Sequence, residues 1–147
     1  SDVYKRQAWN DFGDATHRVR IHPTPDRRLG LIEGTAIFTD NSAGAAAVDW
    51  QLLLNHRDGS YRIRHAATGL CLGLADISTN TNTAVIGEAY TGMPHQSWFL
   101  DYVTPTKFRI LNAYSGLALQ SLGASSTLGT AMVVTTPSAS KLQQWDT

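Results

Sequence analysis

The sequence is poor in cysteine and in charge. Its one cysteine, Cys71, cannot form a disulfide within the chain, so stability has to come from packing. Charged residues make up only 16% of the chain, and the 12 Lys and Arg residues balance the 12 Asp and Glu residues. A chain without net charge lacks the electrostatic signature of nucleic-acid-binding or membrane-surface proteins, so we expect neither partner. No run of 18 apolar residues occurs either, and we expect no membrane insertion.

Motifs of catalysis and metal binding are also missing. The chain has no G-x-S-x-G motif, no phosphate-binding loop and no paired carboxylates in a shared context. Five histidines lack the ligand spacing of a metal site: His17, His22, His56, His65 and His95. Cys71 lies between two leucines in an apolar run and is expected to be a buried, inert thiol. We therefore expect no enzyme, no catalytic residue, no cofactor and no metal.

What the sequence does contain is a threefold repeat. Trp50, Trp98 and Trp145 follow one another at intervals of 48 and 47 residues. A tripeptide that begins with Thr-Ala starts 15 residues before each tryptophan: Thr35-Ala36-Ile37, Thr83-Ala84-Val85 and Thr130-Ala131-Met132. A period of this length indicates one supersecondary unit that is copied three times around a shared core.

Each repeat has the pattern of four short strands. The first strand alternates apolar with charged or polar residues: Arg18-Val19-Arg20-Ile21, Tyr61-Arg62-Ile63-Arg64 and Phe108-Arg109-Ile110-Leu111. Such alternation is typical of a strand with one face on a core. The arginines on the other face are interpreted as a solvated surface with local salt bridges, and a basic patch is the alternative. Glycine and asparagine, which are common in turns, lie between the predicted strands. The pattern therefore predicts an all-β closed architecture.

Segment boundaries follow from the same pattern. The repeats are placed at about 13–54, 55–103 and 104–147. They form a single domain at 8–147, in which repeat three ends two residues after Trp145 and lacks most of its fourth strand. Residues 8–12 are expected to supply that strand and close the ring. Residues 1–7 have no initiator Met and no signal-type apolar stretch, and they are interpreted as a leader or a fragment edge.

Two Q-x-W motifs stand in register with the repeat. They are Gln96-Ser97-Trp98 and Gln143-Gln144-Trp145, and Gly69-Leu70-Cys71-Leu72 precedes the first of them. Together with the alternating strand at 61–64, these motifs resemble the ricin-B-type β-trefoil lectin family, which includes related carbohydrate-binding modules. The resemblance covers residues 17–147 and implies a β-trefoil with three pseudo-symmetric four-stranded repeats. The three tryptophans are then expected to pack where the repeats meet. The side-chain amides of the motif are expected to be the hydrogen-bond partners of the indole N–H groups.

The resemblance also implies where a sugar would bind. Members of the family place an aspartate just after the second strand, an aromatic residue on the third strand, and an asparagine or histidine before the motif glutamine. In repeat two the aspartate position is Gly73, for which Asp76 could substitute from the loop. The aromatic position is Glu88 or, with a small gap, Tyr90. The candidate carbohydrate site is therefore Asp76, Glu88, Tyr90, His95 and Gln96. In the alternative interpretation, Tyr90 is a packed strand residue and His95 a solvated turn histidine.

The other two repeats look degenerate as sugar sites. In repeat three the equivalent positions hold Gln120, Thr135 and Leu142, so that only Gln143 remains. Repeat one has Asp40 at the aromatic position and Ala47-Val48 at the polar pair, and its motif glutamine is lost. Such losses are compatible with the fold, because core positions rather than pockets hold it together.

The sequence therefore predicts non-catalytic carbohydrate binding, with one weak site in repeat two. Its partner would be a glycan or polysaccharide, and it would act as a secreted or extracellular lectin or beside a catalytic domain in a longer parent chain. The alternative is a protein-interaction module, such as a protease inhibitor or a toxin-associated subunit, with degenerate sugar sites. Loss of sugar-site residues in two repeats favours that alternative, whereas the His95-Gln96 pair opposes it.

Overall fold

The computed structural model describes residues 18–147. The segment predicted to close the ring, residues 8–12, lies outside the described residues, as does His17, so the predicted domain bounds stay a prediction. The described residues form ten strands: β1 (Arg28–Ile32), β2 (Thr35–Thr39), β3 (Trp50–Leu54), β4 (Tyr61–His65), β5 (Cys71–Leu74), β6 (Thr83–Glu88), β7 (Trp98–Tyr102), β8 (Phe108–Asn112), β9 (Ala118–Ser121) and β10 (Met132–Thr135).

Helical structure in the same part of the chain is confined to single turns. The α-helix α1 (Ala45–Val48) has four residues. Short 3₁₀ turns follow or join the strands: Asn41–Ala43, Ala75–Ile77, Pro94–Gln96, Leu122–Ala124 and Lys141–Gln143. Among residues 18–147, no helix has the length and apolar character needed to cross a membrane. The all-β prediction is confirmed.

Three hairpins, one from each repeat, meet edge to edge. β1 pairs with β2, β5 with β6, and β9 with β10, all antiparallel. The second strands of these hairpins also pair with one another, through the contacts Thr35–Ile86, Thr83–Val134 and Ile37–Ala131. The third strands of all three repeats are thereby in mutual contact, which is the pseudo-threefold arrangement of a β-trefoil.

The remaining strands form the ring on which the hairpins sit. β3 pairs with β4, β4 with β7, and β7 with β8. In each repeat a residue of the first strand bridges the tryptophan of the same repeat: Val19–Trp50, Tyr61–Trp98 and Phe108–Trp145. Asp146 then exchanges backbone hydrogen bonds of 3.1 and 2.9 Å with His22, and so links repeat three to repeat one.

The first strand of repeat one is shorter than predicted. Instead of a strand at residues 18–21, the structure has isolated bridges at Val19 and His22. Pro23 follows directly and has no N–H with which to continue the pairing. On the other side, Asp146 of repeat three bridges His22. Within residues 18–147, the backbone pairing of this segment therefore consists of these two bridges and a hydrogen bond of 2.7 Å from Leu29 N to the carbonyl of Ile21.

The tryptophans of the repeat are fully buried in one hydrophobic core. Trp50, Trp98 and Trp145 have 0% exposed surface. Burying an indole of this size contributes roughly 4–6 kcal/mol of transfer free energy. The strands that flank them, β4 and β8, each bury every second residue. The predicted burial of the rings and the predicted phase of both strands are confirmed.

Backbone carbonyls, and not glutamines, accept the indole protons. The Nε1 atoms of Trp50, Trp98 and Trp145 donate to the carbonyl oxygens of Leu29, Leu72 and Leu119 at 2.8, 3.0 and 3.2 Å. These leucines occupy equivalent positions on β1, β5 and β9. The predicted amide partner is wrong, because the second strand of each repeat already supplies a buried acceptor at the indole.

Candidate functional site

A polar cluster lies at the end of β6 in repeat two. Glu88, the last residue of β6, stands opposite Cys71 of β5. The carboxylate of Glu88 lies directly over Gly73. A Cβ atom added to Gly73 would lie 2.1 Å from Oε1 of Glu88 and 2.8 Å from its Cδ. Glycine is therefore required while Glu88 keeps this position. Gly73 is not simply a lost carboxylate position: it leaves the space that a carboxylate from the neighbouring strand fills.

Two side chains of the Pro94–Gln96 turn hold that carboxylate. Nε2 of His95 lies 2.6 Å from Oε1 of Glu88, and Nε2 of Gln96 donates to the same oxygen at 3.1 Å. Because an ionised carboxylate only accepts, the bonded proton of His95 sits on Nε2. His95 and Gln96 are 3% and 1% exposed. The interpretation of His95 as a solvated turn histidine is therefore wrong.

The Glu88 side chain is partly exposed, and its two oxygens differ in their bonding. The side chain retains 28% of its exposure, and Oε2 makes no hydrogen bond to residues 18–147. Oε1 is fixed by two donors, one of them the imidazole, and bonds to an ionised carboxylate are stronger than those between neutral groups. The cluster therefore holds the carboxylate at Oε1 through two donors, while Oε2 has no partner among residues 18–147.

The motif glutamine also fixes the loop that carries Tyr90. Oε1 of Gln96 accepts from the backbone N–H of Thr91, and its Nε2 donates to the carbonyl of Ala89, both at 2.8 Å. In repeat three, Gln143 makes the same pair of contacts, to Ser138 N at 2.8 Å and Thr136 O at 3.0 Å. The glutamine of the Q-x-W motif thus closes the loop after the third strand, which explains why it does not reach the indole.

Tyr90 lies beyond the end of β6 and faces a cleft next to the cluster. It is 49% exposed, so its interpretation as a packed strand residue is wrong. The guanidinium carbon of Arg62 lies 4.1 Å from the centroid of the Tyr90 ring. Around this stacked pair is a cavity of about 390 Å³, whose lining comprises Leu53, Leu54, Asn55, Arg57, Ser60, Arg62, Tyr90 and Ser97.

Asp76 occupies the exposed 3₁₀ turn after β5, in a left-handed conformation with φ of 55°. Among residues 18–147, no hydrogen bond or ion pair joins its carboxylate to Glu88, His95 or Gln96. The preceding strand β5 does contact the turn that carries His95. The structure thus brings Glu88, His95 and Gln96 into direct contact and leaves Asp76 and Tyr90 on adjoining segments.

The equivalent strand position has a different environment in each repeat. In repeat one, Asp40 accepts from the N–H of Ser42 at 2.9 Å and from its hydroxyl, so the carboxylate caps its own turn. In repeat three the position is Thr135, and Gln143 bonds the amide oxygen of Gln120 at 2.9 Å. Within the described residues, the combination of carboxylate, histidine and glutamine therefore occurs in repeat two alone.

The remaining candidate chemistry is structural. Burial raises the pKa of the Cys71 thiol to about 11, and the residue is fully buried, so the prediction of a buried thiol is confirmed. His65 is the last residue of β4. Its Nε2 lies 3.0 Å from the carbonyl oxygen of Ala47, and its Nδ1 lies 2.8 Å from the Thr68 hydroxyl. No group of three or more His, Cys, Asp or Glu side chains in the described part of the chain could hold a metal ion.

Two features of the site escaped sequence reasoning. One is the exchange between Gly73 and Glu88, and the other is Arg62, which was grouped with the surface arginines. The sequence did contain a signal for the exchange between Gly73 and Glu88. A glycine stands at the expected carboxylate position, and the strand that pairs with it ends in a carboxylate. The stacking of Arg62 on Tyr90 joins β4 to the loop after β6, which lies far from it in sequence, and nothing local indicated it.

Comparison with known proteins was made at the level of family, sequence and structure. A family model described as "Ricin-type beta-trefoil lectin domain-like" matches residues 46–135, which is more than half of the chain. A comparison with curated protein sequences gives no significant match.

Several solved structures have the same fold. The designed threefold-symmetric protein ThreeFoil has a TM-score of 0.81 at 24% identity, with 90% of this chain and 97% of that chain covered. The ricin B-like lectin of Macrolepiota procera, solved with lactose, has a TM-score of 0.76 at 16% identity, with 90% and 95% covered. An exo-β-1,3-galactanase from Clostridium thermocellum has a TM-score of 0.78 at 16% identity, with 89% of this chain but 30% of the enzyme covered. At these identities the likeness establishes the fold alone.

Proposed function

Because this chain belongs to the ricin-type β-trefoil lectin-like family, we propose that it binds carbohydrate without catalysing a reaction, through one weak site in repeat two. The observation that carries the proposal is the contact of Glu88 with His95 and Gln96. A partly exposed carboxylate with one oxygen held and the other without a partner among residues 18–147 is suited to accept hydrogen bonds from sugar hydroxyls.

Only part of the cluster is free to touch a ligand. Nε2 of Gln96 already donates both of its hydrogens, to Glu88 and to Ala89, and His95 is buried. We therefore assign direct contact with sugar hydroxyls to Glu88 and a positioning role to His95 and Gln96. Asp76, exposed on the turn after β5, is proposed as a second acceptor at the edge of the site.

Tyr90 supplies the apolar surface of the proposed site. Arg62 covers one face of its ring, and nearly half of the residue is exposed. Aromatic side chains with a few convergent polar groups are the usual lining of small-ligand sites. The apolar face of a sugar ring is proposed to stack on the uncovered side of Tyr90 while its hydroxyls reach Glu88.

The proposed site is small and open, so weak binding is expected. A dissociation constant of about 1 mM to tens of µM corresponds to roughly −4 to −7 kcal/mol. Useful avidity would come from a second site, a partner domain or self-association. The galactanase, of which this fold covers 30%, supports the further proposal that the chain acts as a secreted lectin or as an accessory module of a longer polysaccharide-acting enzyme.

A glycan array followed by NMR titration of the strongest hit tests the proposal. The test variant is Glu88→Gln, and Asp40→Asn is the matched control, because Asp40 occupies the equivalent position in repeat one. Glu88→Gln should weaken binding at least tenfold, whereas Asp40→Asn should leave it unchanged. Equal binding by wild type and Glu88→Gln would refute the site, and silence across the array would favour a protein partner instead.

A further inference from the structure

In every repeat, the residue that bridges the tryptophan is followed by an arginine, and the environment of this arginine differs in repeat two. In repeat one, Nε of Arg20 lies 3.0 Å from Asp49, and in repeat three, Nε of Arg109 lies 3.1 Å from Asp101. These pairs confirm the predicted salt bridges on the outer face. Arg62, the equivalent residue of repeat two, forms no ion pair with residues 18–147 and lies over Tyr90 instead.

Both positions that supply a carboxylate in the other repeats are uncharged around Arg62. The residue before the tryptophan, which is Asp49 in repeat one, is Ser97 in repeat two. The residue opposite the arginine across the strand pair, which is Asp101 in repeat three, is Leu53. Ser97 and Leu53 both line the cleft beside Tyr90, so the cleft opens where the carboxylates would have been.

The N–H groups of the stacked guanidinium make no hydrogen bond to residues 18–147. Stacking uses the flat face of Arg62, whereas its five N–H groups project from the edge in a planar fork. Arg57 also lines the cleft, and no carboxylate is among the lining residues. Asp58 lies on the same loop, but its Oδ1 accepts from the N–H and hydroxyl of Ser60 at 2.9 and 2.7 Å. The cleft therefore combines two cations with neutral polar groups.

We propose that this cleft binds the carboxylate of an acidic sugar, so that the ligand of repeat two is a uronate-containing glycan. The planar fork of Arg62 matches a carboxylate in a bidentate pair. Asn55 and Ser97 offer hydrogen bonds to the hydroxyls of the same sugar. The cavity of about 390 Å³ falls within the roughly 300–1,000 Å³ that ligand sites occupy. This inference rests on the proposed function, because Tyr90 and its loop join the cleft to the Glu88 cluster.

Paired probes test the inference. D-glucuronate is compared with D-glucose, and D-galacturonate with D-galactose, by titration of ¹⁵N-labelled protein at low ionic strength. The uronate of at least one pair should bind about tenfold more tightly than its neutral partner. Raising the salt concentration should weaken that preference, because it shortens the screening length from about 30 Å at 0.01 M to about 8 Å at 0.15 M.

Variants assign the preference to the cleft. Arg62→Gln should abolish the preference for the uronate over its neutral partner. Arg62→Lys should retain part of it, since the charge stays but the planar fork is lost. Arg109→Gln is the matched control, because it removes the equivalent arginine, which is already paired with Asp101, and it should have no effect. Circular dichroism and tryptophan fluorescence establish that each variant is folded.

The outcomes separate the two proposals. Neutral sugars that bind in a Glu88-dependent way, without any preference for the uronate, would overturn the acidic subsite and leave the proposed function standing. A preference lost equally in Arg62→Gln and Arg109→Gln would also overturn it, since general charge would then be the cause. If uronate binding requires Arg62 but persists in Glu88→Gln, the result would support the cleft and contradict the Glu88 site.

Discussion

Replacing Gly73 with alanine should destabilise the protein by displacing a side chain on another strand. The added Cβ would lie 2.1 Å from Oε1 of Glu88 and 2.8 Å from its Cδ, which no real contact tolerates. Glu88 would have to swing away, and its bonds to His95 and Gln96 would break. Nε2 of His95 would then be left without its partner in a position that is 3% exposed.

The magnitude follows from these two bonds. A hydrogen bond to a charged group contributes about 1.5–3 kcal/mol, and an orphaned buried donor costs a similar amount. Glu88 keeps 28% of its exposure, so water recovers part of the loss for the carboxylate. The expected decrease in unfolding free energy is about 2–4 kcal/mol, which corresponds to roughly 6–15 °C in Tm for a domain of this size.

A double-mutant cycle with Glu88→Ala isolates the steric cause. In that background Gly73→Ala meets empty space, so its cost should fall to about zero and the coupling energy should reach about 2–4 kcal/mol. Urea unfolding followed by tryptophan fluorescence measures all four proteins, with an unchanged denaturant slope expected. The reasoning is refuted if Gly73→Ala costs the same amount with and without the Glu88 side chain.

Two further predictions concern titratable groups in repeats one and two. At pH 8 the native Cys71 thiol, with its pKa raised to about 11 by burial, should react with a disulfide reagent at least about 100-fold more slowly than the unfolded chain; equal rates would contradict its burial. Burial, and then the charge of Arg28, lower the pKa of His22 below its usual 6.5, so the unfolded state takes up the proton first. The stability that follows is fully present above about pH 6.5 and is lost as the pH falls toward the folded-state pKa. His22→Gln should therefore lose less unfolding free energy than wild type between about pH 7 and 5 in urea titrations, and parallel curves would rule out this role.

Much of the fold was predictable because its signals are local. Trp50, Trp98 and Trp145 recur at nearly equal intervals, and the apolar residues of 61–64 and 108–111 alternate. A strand with one face on a core must place an apolar residue at every second position, whatever lies across from it. Pairing partners are not local in this sense. The first strand of repeat one is reduced to bridges at Val19 and His22, because Pro23 has no N–H with which to continue the pairing.

The candidate site was likewise predictable only in part. The resemblance placed Glu88, His95 and Gln96 in one set, and the structure brings these three side chains into contact. The resemblance did not indicate that Glu88 occupies the space over Gly73. That placement depends on the antiparallel register of β5 and β6. The motif glutamines were assigned to the indoles, whereas the loops after the third strands use them.

The sequence by itself determined the threefold period, the core face of each well-patterned strand and the chemical types available in repeat two. Tertiary structure alone decided that leucine carbonyls receive the indole protons, that a glutamate from the adjoining strand fills the space over Gly73, and that Arg62 faces Tyr90 rather than a carboxylate. The physical reason is that periodicity records which way a side chain points from its own strand. What it meets there is set by strand register and by the neighbouring repeat.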